Sequence, residues 1–181
     1  MTKTIHYLKF LFALILVFLC FSGHAQFVNL LGTTGYDAGK EVIVGFDGNY
    51  LLAGTSGSSS TNKNIIISKI SPDGYVFWTK SYGGTGDEDV SSLIRTKDSA
   101  YVFIGYTTSS GNGNWDALVV KIDTSGNVIW SRTNGGSGQD EYRTIYHTKD
   151  SCFLMGGATQ SYGAGQLDAW VVKLDKEGNF C

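Results

Sequence analysis

Carboxylates recur in clusters along this chain. Asp87-Glu88-Asp89 and Asp140-Glu141 each follow a glycine-rich stretch, and Asp37 holds the matching place nearer the N-terminus. Carboxylate oxygens gathered on a flexible glycine loop are candidate ligands for a hard cation such as Ca²⁺. The spacing is not that of an EF-hand, which needs alternating ligands over about 12 residues. Paired carboxylates can also serve a glycosidase as acid and nucleophile, but these acids recur in every copy of a repeat, as structural residues do. Trp115 and Tyr162 stand in neighbouring segments rich in Gly, Ser and Asn. A ring beside amides and carboxylates can stack on and orient a sugar. Trp115, Tyr162, Asp87, Glu88, Asp89, Asp140 and Glu141 are therefore the candidate ligand-binding residues. The plainer reading is favoured: acids at strand starts accept backbone N–H bonds, glycines permit turns, and aromatics pack between repeats.

Other reactive groups point away from catalysis. His147 lies beside a hairpin and has no histidine in the equivalent places, which suits a solvent-facing side chain. No G-x-S-x-G motif or Cys/His metal spacing is present, so no cofactor is expected beyond the Ca²⁺ candidate. Lys69, Lys121 and Lys173 form a repeated cationic set, expected to point outward with packed stems and ammonium groups in water.

These residues sit on a segment written three times. Gly35, Gly86 and Gly138 open equivalent stretches, each reaching another glycine 19 residues on at Gly54, Gly105 and Gly157. Ile67-Ser68-Lys69-Ile70, Val119-Val120-Lys121-Ile122 and Val171-Val172-Lys173-Leu174 follow. The offset is 51 residues between the first two glycines and 52 afterwards, a step that Trp78 and Trp130 keep. A fixed period of this size marks a repeat architecture. In the middle copy Val90 to Thr96, Ala100 to Thr107, Asp116 to Asp123 and Asn127 to Thr133 are short runs rich in Val, Ile, Thr and aromatics, separated by turn residues. Each reads as a strand, and no convincing helical period occurs after the N-terminal segment. Ser71-Pro72-Asp73-Gly74, Asp123 to Asn127 and Asp175 to Asn179 read as hairpins closed by glycine. The class is all-β, with four-stranded antiparallel units of propeller-blade type.

The string Trp78-Thr79-Lys80-Ser81-Tyr82-Gly83-Gly84-Thr85-Gly86-Asp87-Glu88-Asp89 resembles the joint between units in secreted bacterial and archaeal β-propeller repeat proteins. Ala117 to Trp130 extends the resemblance, which covers almost all of residues 27–181. It implies an exported, usually multi-repeat surface or secreted protein whose ligands are mostly unknown, and it carries over no active site. The repeats run roughly 32–82, 83–134 and 135–181. Cys181 stands where Ile129 stands, while Phe27-Val28-Asn29-Leu30-Leu31 aligns with Trp78-Thr79-Lys80-Ser81-Tyr82. The N-terminal end thus supplies a fourth strand without its blade, and the third blade lacks most of its own.

Propellers typically close with about 4–8 blades, so three leave an incomplete ring. Each open face forfeits the burial of about five or six large apolar side chains at ~2 kcal/mol each, a sum comparable to the ~5–15 kcal/mol stability of a domain. The expectation is self-association, most simply two chains giving six blades, or a fragment of a longer product.

The N-terminal residues 1–25 read as a secretory signal: Lys3 and Lys9, the apolar run Phe10 to Phe21, then Gly23 and Ala25 before Gln26. Cys20 invites a lipoprotein reading, but Leu19 fills a place usually held by a small residue. The run is too short for a comfortable ~20-residue span, so a secreted, periplasmic or cell-surface location with no membrane span after processing is expected. Net charge is −2 with no basic run, which argues against a nucleic-acid partner. Cys152 and Cys181 fall on strands two apart in one sheet. At ~4.8 Å per strand that is ~9.6 Å, beyond the ~7 Å reach of a disulfide, so free or intermolecular thiols are expected. The function read from all this is a non-catalytic exported module for binding or assembly, with a glycan or protein ligand. The alternative is a secreted propeller enzyme acting on polysaccharide.

Overall fold

The structure is a computed structural model that describes residues 27–28 and 31–181; the signal-peptide reading falls outside these residues. Eleven strands form three antiparallel sheets, and no helix occurs among the described residues. The first sheet holds β1 (Tyr36–Val44), β2 (Tyr50–Gly57), β3 (Lys63–Ile70) and β4 (Val76–Tyr82). The middle sheet holds β5 (Glu88–Arg95), β6 (Tyr101–Thr107), β7 (Asp116–Ile122) and β8 (Val128–Asn134). The last holds β9 (Asp140–His147), β10 (Phe153–Thr159) and β11 (Asp168–Leu174). Strands are neighbours in chain order within every sheet. The expected four strands are present in the first two sheets. The last has three, with a single bridge between Leu174 and Phe180 marking where a fourth would begin.

Side-chain alternation gives each strand two usable faces, and both are apolar in the middle sheet. Val90, Leu93, Tyr101 and Phe103 pack against Leu51, Ala53, Ile65 and Ile67 of the first sheet. The opposite face, with Val102, Ile104 and Val119, packs against Tyr142, Ile145, Phe153 and Met155 of the last. The sheets therefore stack in chain order through two equivalent cores, and the ring is not closed.

A second device links successive repeats. Gly126 and Gly178 close their hairpins at φ 78° and 83°, and their bare Cα atoms admit the tryptophan of the repeat before. A Cβ on Gly126 would lie 3.0 Å from the Trp78 ring, and one on Gly178 would lie 3.1 Å from the Trp130 ring. Tyr82 donates its hydroxyl to the Gly126 carbonyl at 2.7 Å, and the Trp130 indole donates to the Lys176 carbonyl at 3.0 Å.

Two expectations are corrected. Cys152 and Cys181 are both free thiols, but their sulfurs lie only 3.4 Å apart, so it is the expected separation that is corrected. Both residues stand just outside the regular strands, so lateral strand spacing does not set their separation; the Cys181 amide, bonded to the Lys173 carbonyl at 3.1 Å, carries its sulfur back over β11. The three lysines are not simply solvated either. Each ammonium meets a first-hairpin aspartate at 2.6 Å, pairing Lys69 with Asp47, Lys121 with Asp98 and Lys173 with Asp150.

Candidate functional site

The segments between repeats and the long second loops of the sheets meet on one face, and their backbones interlock. Asn114 donates to the Gly138 carbonyl at 3.1 Å, Asp140 to Trp115 at 2.9 Å and Gln160 to Gln139 at 2.8 Å. Trp115 and Gln139 also form a parallel bridge. Glycine is required here because the chains approach closely: a Cβ on Gly113 would lie 2.3 Å from the Gly138 carbonyl oxygen.

The acids that nominated this face hold it together. Glu88 is buried, accepting the Gly84 amide at 3.0 Å on one oxygen and the Thr107 hydroxyl at 2.7 Å on the other. Asp140 repeats the arrangement one unit later, accepting the Gly136 amide at 2.9 Å and the hydroxyls of Thr159 and Ser161. Asp37 accepts the Thr33 amide at 2.7 Å. Burial alone would raise the Asp140 pKa, but the Ser161, Thr159 and Gly136 hydrogen bonds outweigh it and hold the carboxyl below its ordinary value. Asp37 is likewise lowered, first by Ser56 and then by the Thr33 amide.

The flanking acids bind other parts of the repeat. Asp87 accepts the Lys63 amide at 3.0 Å. Asp89 takes the Thr55 hydroxyl and pairs with Lys40 at 3.1 Å, reaching the first sheet. Glu141 is paired with Arg143. Among the described residues no group of three or more His, Cys, Asp or Glu is arranged to hold a metal ion.

The aromatics divide into separate stacks. Trp115 lies flat on Tyr106, with ring centroids 4.4 Å apart and planes 10° apart. Burial, helped by Asp89 and Asp87, pushes the Tyr106 hydroxyl up to about 12. Tyr162 stacks at 6.1 Å on Trp170, which stacks in turn on Tyr142. Tyr162 also donates its hydroxyl to the Gly135 carbonyl at 3.0 Å yet remains exposed. It lines a cavity of about 480 Å³ with Gly135, Trp170 and Phe180. A cavity of about 450 Å³ reaches Gly84, Glu88 and Ser109. His147 stacks on Phe153 at 5.2 Å, half-buried instead of solvent-facing, because it is the last residue of β9 and pairs with Phe153 across the ladder. Burial, then nearby Lys97, lowers its pKa.

Each hairpin aspartate, taken alone in the sequence, is an ordinary turn residue. The repeat carries the signal: Asp47, Asp98 and Asp150 occupy equivalent places, as do their lysines. Lys69 brings the Asp47 carboxyl down to about 2.

No family model and no curated protein matches the chain. It is similar to a solved protein of unknown function from Bacteroides caccae at 14% identity, over 84% of this chain and 68% of that one, with a TM-score of 0.35. Among the described residues no helix is long and apolar enough to cross a membrane.

Proposed function

We propose that this chain is an exported, non-catalytic β-propeller-type repeat module that acts by assembly, with each sheet serving as a blade. The carrying observation is the pair of faces left open at the two ends. The outer face of the last blade exposes Tyr146, Leu154 and Val171, while Val102 and Val119, the middle-blade equivalents of Leu154 and Val171, are fully buried. The outer face of the first blade exposes Val42 and Val44, while Leu93, equivalent to Val42, is buried. Contiguous exposed apolar surface marks an interaction site. These two faces are the two halves of a contact that the chain already makes twice within itself.

The candidate acids support a structural role, since their oxygens are committed to loop amides, hydroxyls and the side chains of Lys40 and Arg143. The loop face, with exposed Tyr162 above its cavity, is where a surface glycan or protein would be met. Light scattering on the processed chain tests the assembly reading. A mass of two chains is the expected result; a monodisperse, cooperatively folding monomer overturns it. A glycan array run beside a polysaccharide hydrolysis screen tests the non-catalytic reading, which turnover would overturn.

A further inference from the structure

We infer that the cavity between the middle and last sheets, on the loop face, is a binding site for a neutral pyranose sugar held against the rings of Tyr162 and Trp170. The inference rests on the reading of that face as the place where a ligand is met, and it names the site and the ligand's chemistry.

The cavity belongs to the repeat. Ser81, Tyr82, Gly83, Ser110, Leu118 and Val128 line the one of about 450 Å³ between the first and middle sheets. The residues 52 positions later, Thr133, Asn134, Gly135, Tyr162, Trp170 and Phe180, line the one of about 480 Å³. Another, of about 620 Å³, has Ile66 in the place of Leu118. The middle sheet holds its cavity with all four strands paired, so the space comes from the joint between repeats. Its size falls within the roughly 300–1,000 Å³ of small-molecule sites.

The side chains around that space change in the last repeat. Tyr162, Trp170 and Phe180 replace Ser110, Leu118 and Val128, and Asn134 replaces Tyr82. The same joint packs with small or aliphatic side chains one repeat earlier, so packing does not call for the rings. Nor are the rings enclosed, since Tyr162 is 55% exposed and Trp170 is half-buried. Both are nevertheless held in place. Tyr162 donates to the Gly135 carbonyl at 3.0 Å, the Trp170 indole donates to the Glu141 carbonyl at 3.3 Å, and Tyr142 stacks on the indole at 5.3 Å. Side chains fixed beforehand lose little freedom when a ligand arrives.

The lining selects the ligand. Aromatic faces suit the C–H face of a sugar ring. Among the described residues none that lines the cavity carries a charge, so a carboxylate, phosphate or ammonium entering it would lose water without gaining a partner. The Asn134 amide lies near the Tyr142 hydroxyl, yet its Nδ2 and that hydroxyl are both enclosed without a well-formed hydrogen bond among the described residues. An enclosed donor without a partner is costly. Turning the Asn134 amide toward the cavity gives it a sugar hydroxyl to bond, which a purely apolar ligand would not supply. A free sugar and the end unit of a glycan present the same ring.

Calorimetry of the processed chain tests the site, with the methyl glycosides of glucose, galactose and mannose, the corresponding trisaccharides, and methyl glucuronide as the charged counterpart. At least one neutral glycoside is expected to bind at millimolar concentration and to change the tryptophan fluorescence, with the glucuronide weaker. A tighter trisaccharide supports a glycan end as the source, and equal affinity supports a free sugar. Tyr162→Ser and Trp170→Leu each give the last cavity the side chain of the middle one, and each should weaken binding about tenfold. Ser110→Ala, in the middle cavity, should leave it unchanged. Thermal melts establish that the variants fold, and exposed Tyr162 keeps the test decisive if Trp170→Leu unfolds the chain. Binding that survives Tyr162→Ser, or that is lost with Ser110→Ala, overturns this site and leaves a ligand elsewhere on the loop face standing. No binding by any neutral glycoside overturns both the site and a glycan ligand, while the two-chain mass still decides assembly separately. Glucuronide binding as tight as the neutral sugars overturns the assigned chemistry.

Discussion

Strand β7 of the middle sheet is buried at every residue, whereas β11, its equivalent one repeat later, alternates between covered and exposed positions. Val119 is wholly enclosed and Val171 is 72% exposed; Leu93 is 1% exposed and Val42 is 59% exposed. The residue types are nearly the same, so the difference comes from the neighbour. In a stacked repeat each unit supplies half of two interfaces and cannot bury its own apolar faces. The end sheets are middle sheets that lack one neighbour.

The largest effect that would break this comparison is a cavity at its enclosed member. Leu93→Ala should destabilise the protein by about 2–5 kcal/mol, through lost burial and incomplete collapse around the site. Val42→Ala at the equivalent exposed position should change a lone chain by less than about 0.5 kcal/mol. Urea melts at low protein concentration check both. Equal losses would mean that the first sheet's outer face is covered in the free chain.

A second contrast separates the hairpin ion pairs. The Lys121 side chain is almost enclosed against Phe153 and also reaches the Lys176 carbonyl, whereas Lys173 is substantially exposed. Removing the carboxylate beside a buried ammonium leaves it short of a partner. Asp98→Asn is therefore expected to cost about 1–3 kcal/mol. Asp150→Asn should shift the thermal midpoint far less, since exposed pairs are screened by water. Comparable midpoints for the two variants would remove the distinction.

The sequence displayed the repeat because identical problems recur at a fixed interval: a glycine at each close approach, a tryptophan to cover it, an acid at the start of each first strand. It also displayed the likeness of Phe27 to Trp78, which count into register with each other. What it hid depends on reach through space. Asp98 is an ordinary hairpin residue until β7 brings Lys121 to 2.6 Å. The Glu88 and Asp140 oxygens look available for a ligand until the loop amides and hydroxyls close on them. Strand spacing overstates the distance between Cys152 and Cys181 because both lie just beyond the regular strands.

Acid should act on the ion pairs of all three sheets through one sign. Lys69, the largest influence on Asp47, depresses its carboxyl to about 2, and Asp98 and Asp150 are lowered as well. A carboxyl whose folded pKa lies below its unfolded value of about 3.9 adds stability that is complete above that value and lost as pH falls through the folded one. The pairs should therefore hold to about pH 4 and release toward pH 2. Melts at intervals between those values check this, and Asp47→Asn should flatten the dependence. A steep loss already between pH 7 and 5 would assign the titration to other groups.

The smallest expected effect lies at the cysteines. With sulfurs 3.4 Å apart, Cys152 and Cys181 are placed to exchange with oxidised glutathione. One thiolate attacks the glutathione disulfide and releases a glutathione thiolate; the second then attacks the mixed disulfide and releases the other. Two thiols are oxidised and one glutathione disulfide is reduced. Contact with Cys181 first, then burial, pushes the Cys152 thiol up to about 11, so the exchange should accelerate as pH rises. The bridge would fasten the residue after Phe180 to the hairpin before β10 without touching either core, so the thermal midpoint should move only slightly. Thiol titration and intact mass after oxidation check it: loss of both thiols with no added glutathione is expected. A stable mixed disulfide at either cysteine would show that the sulfurs do not meet in solution.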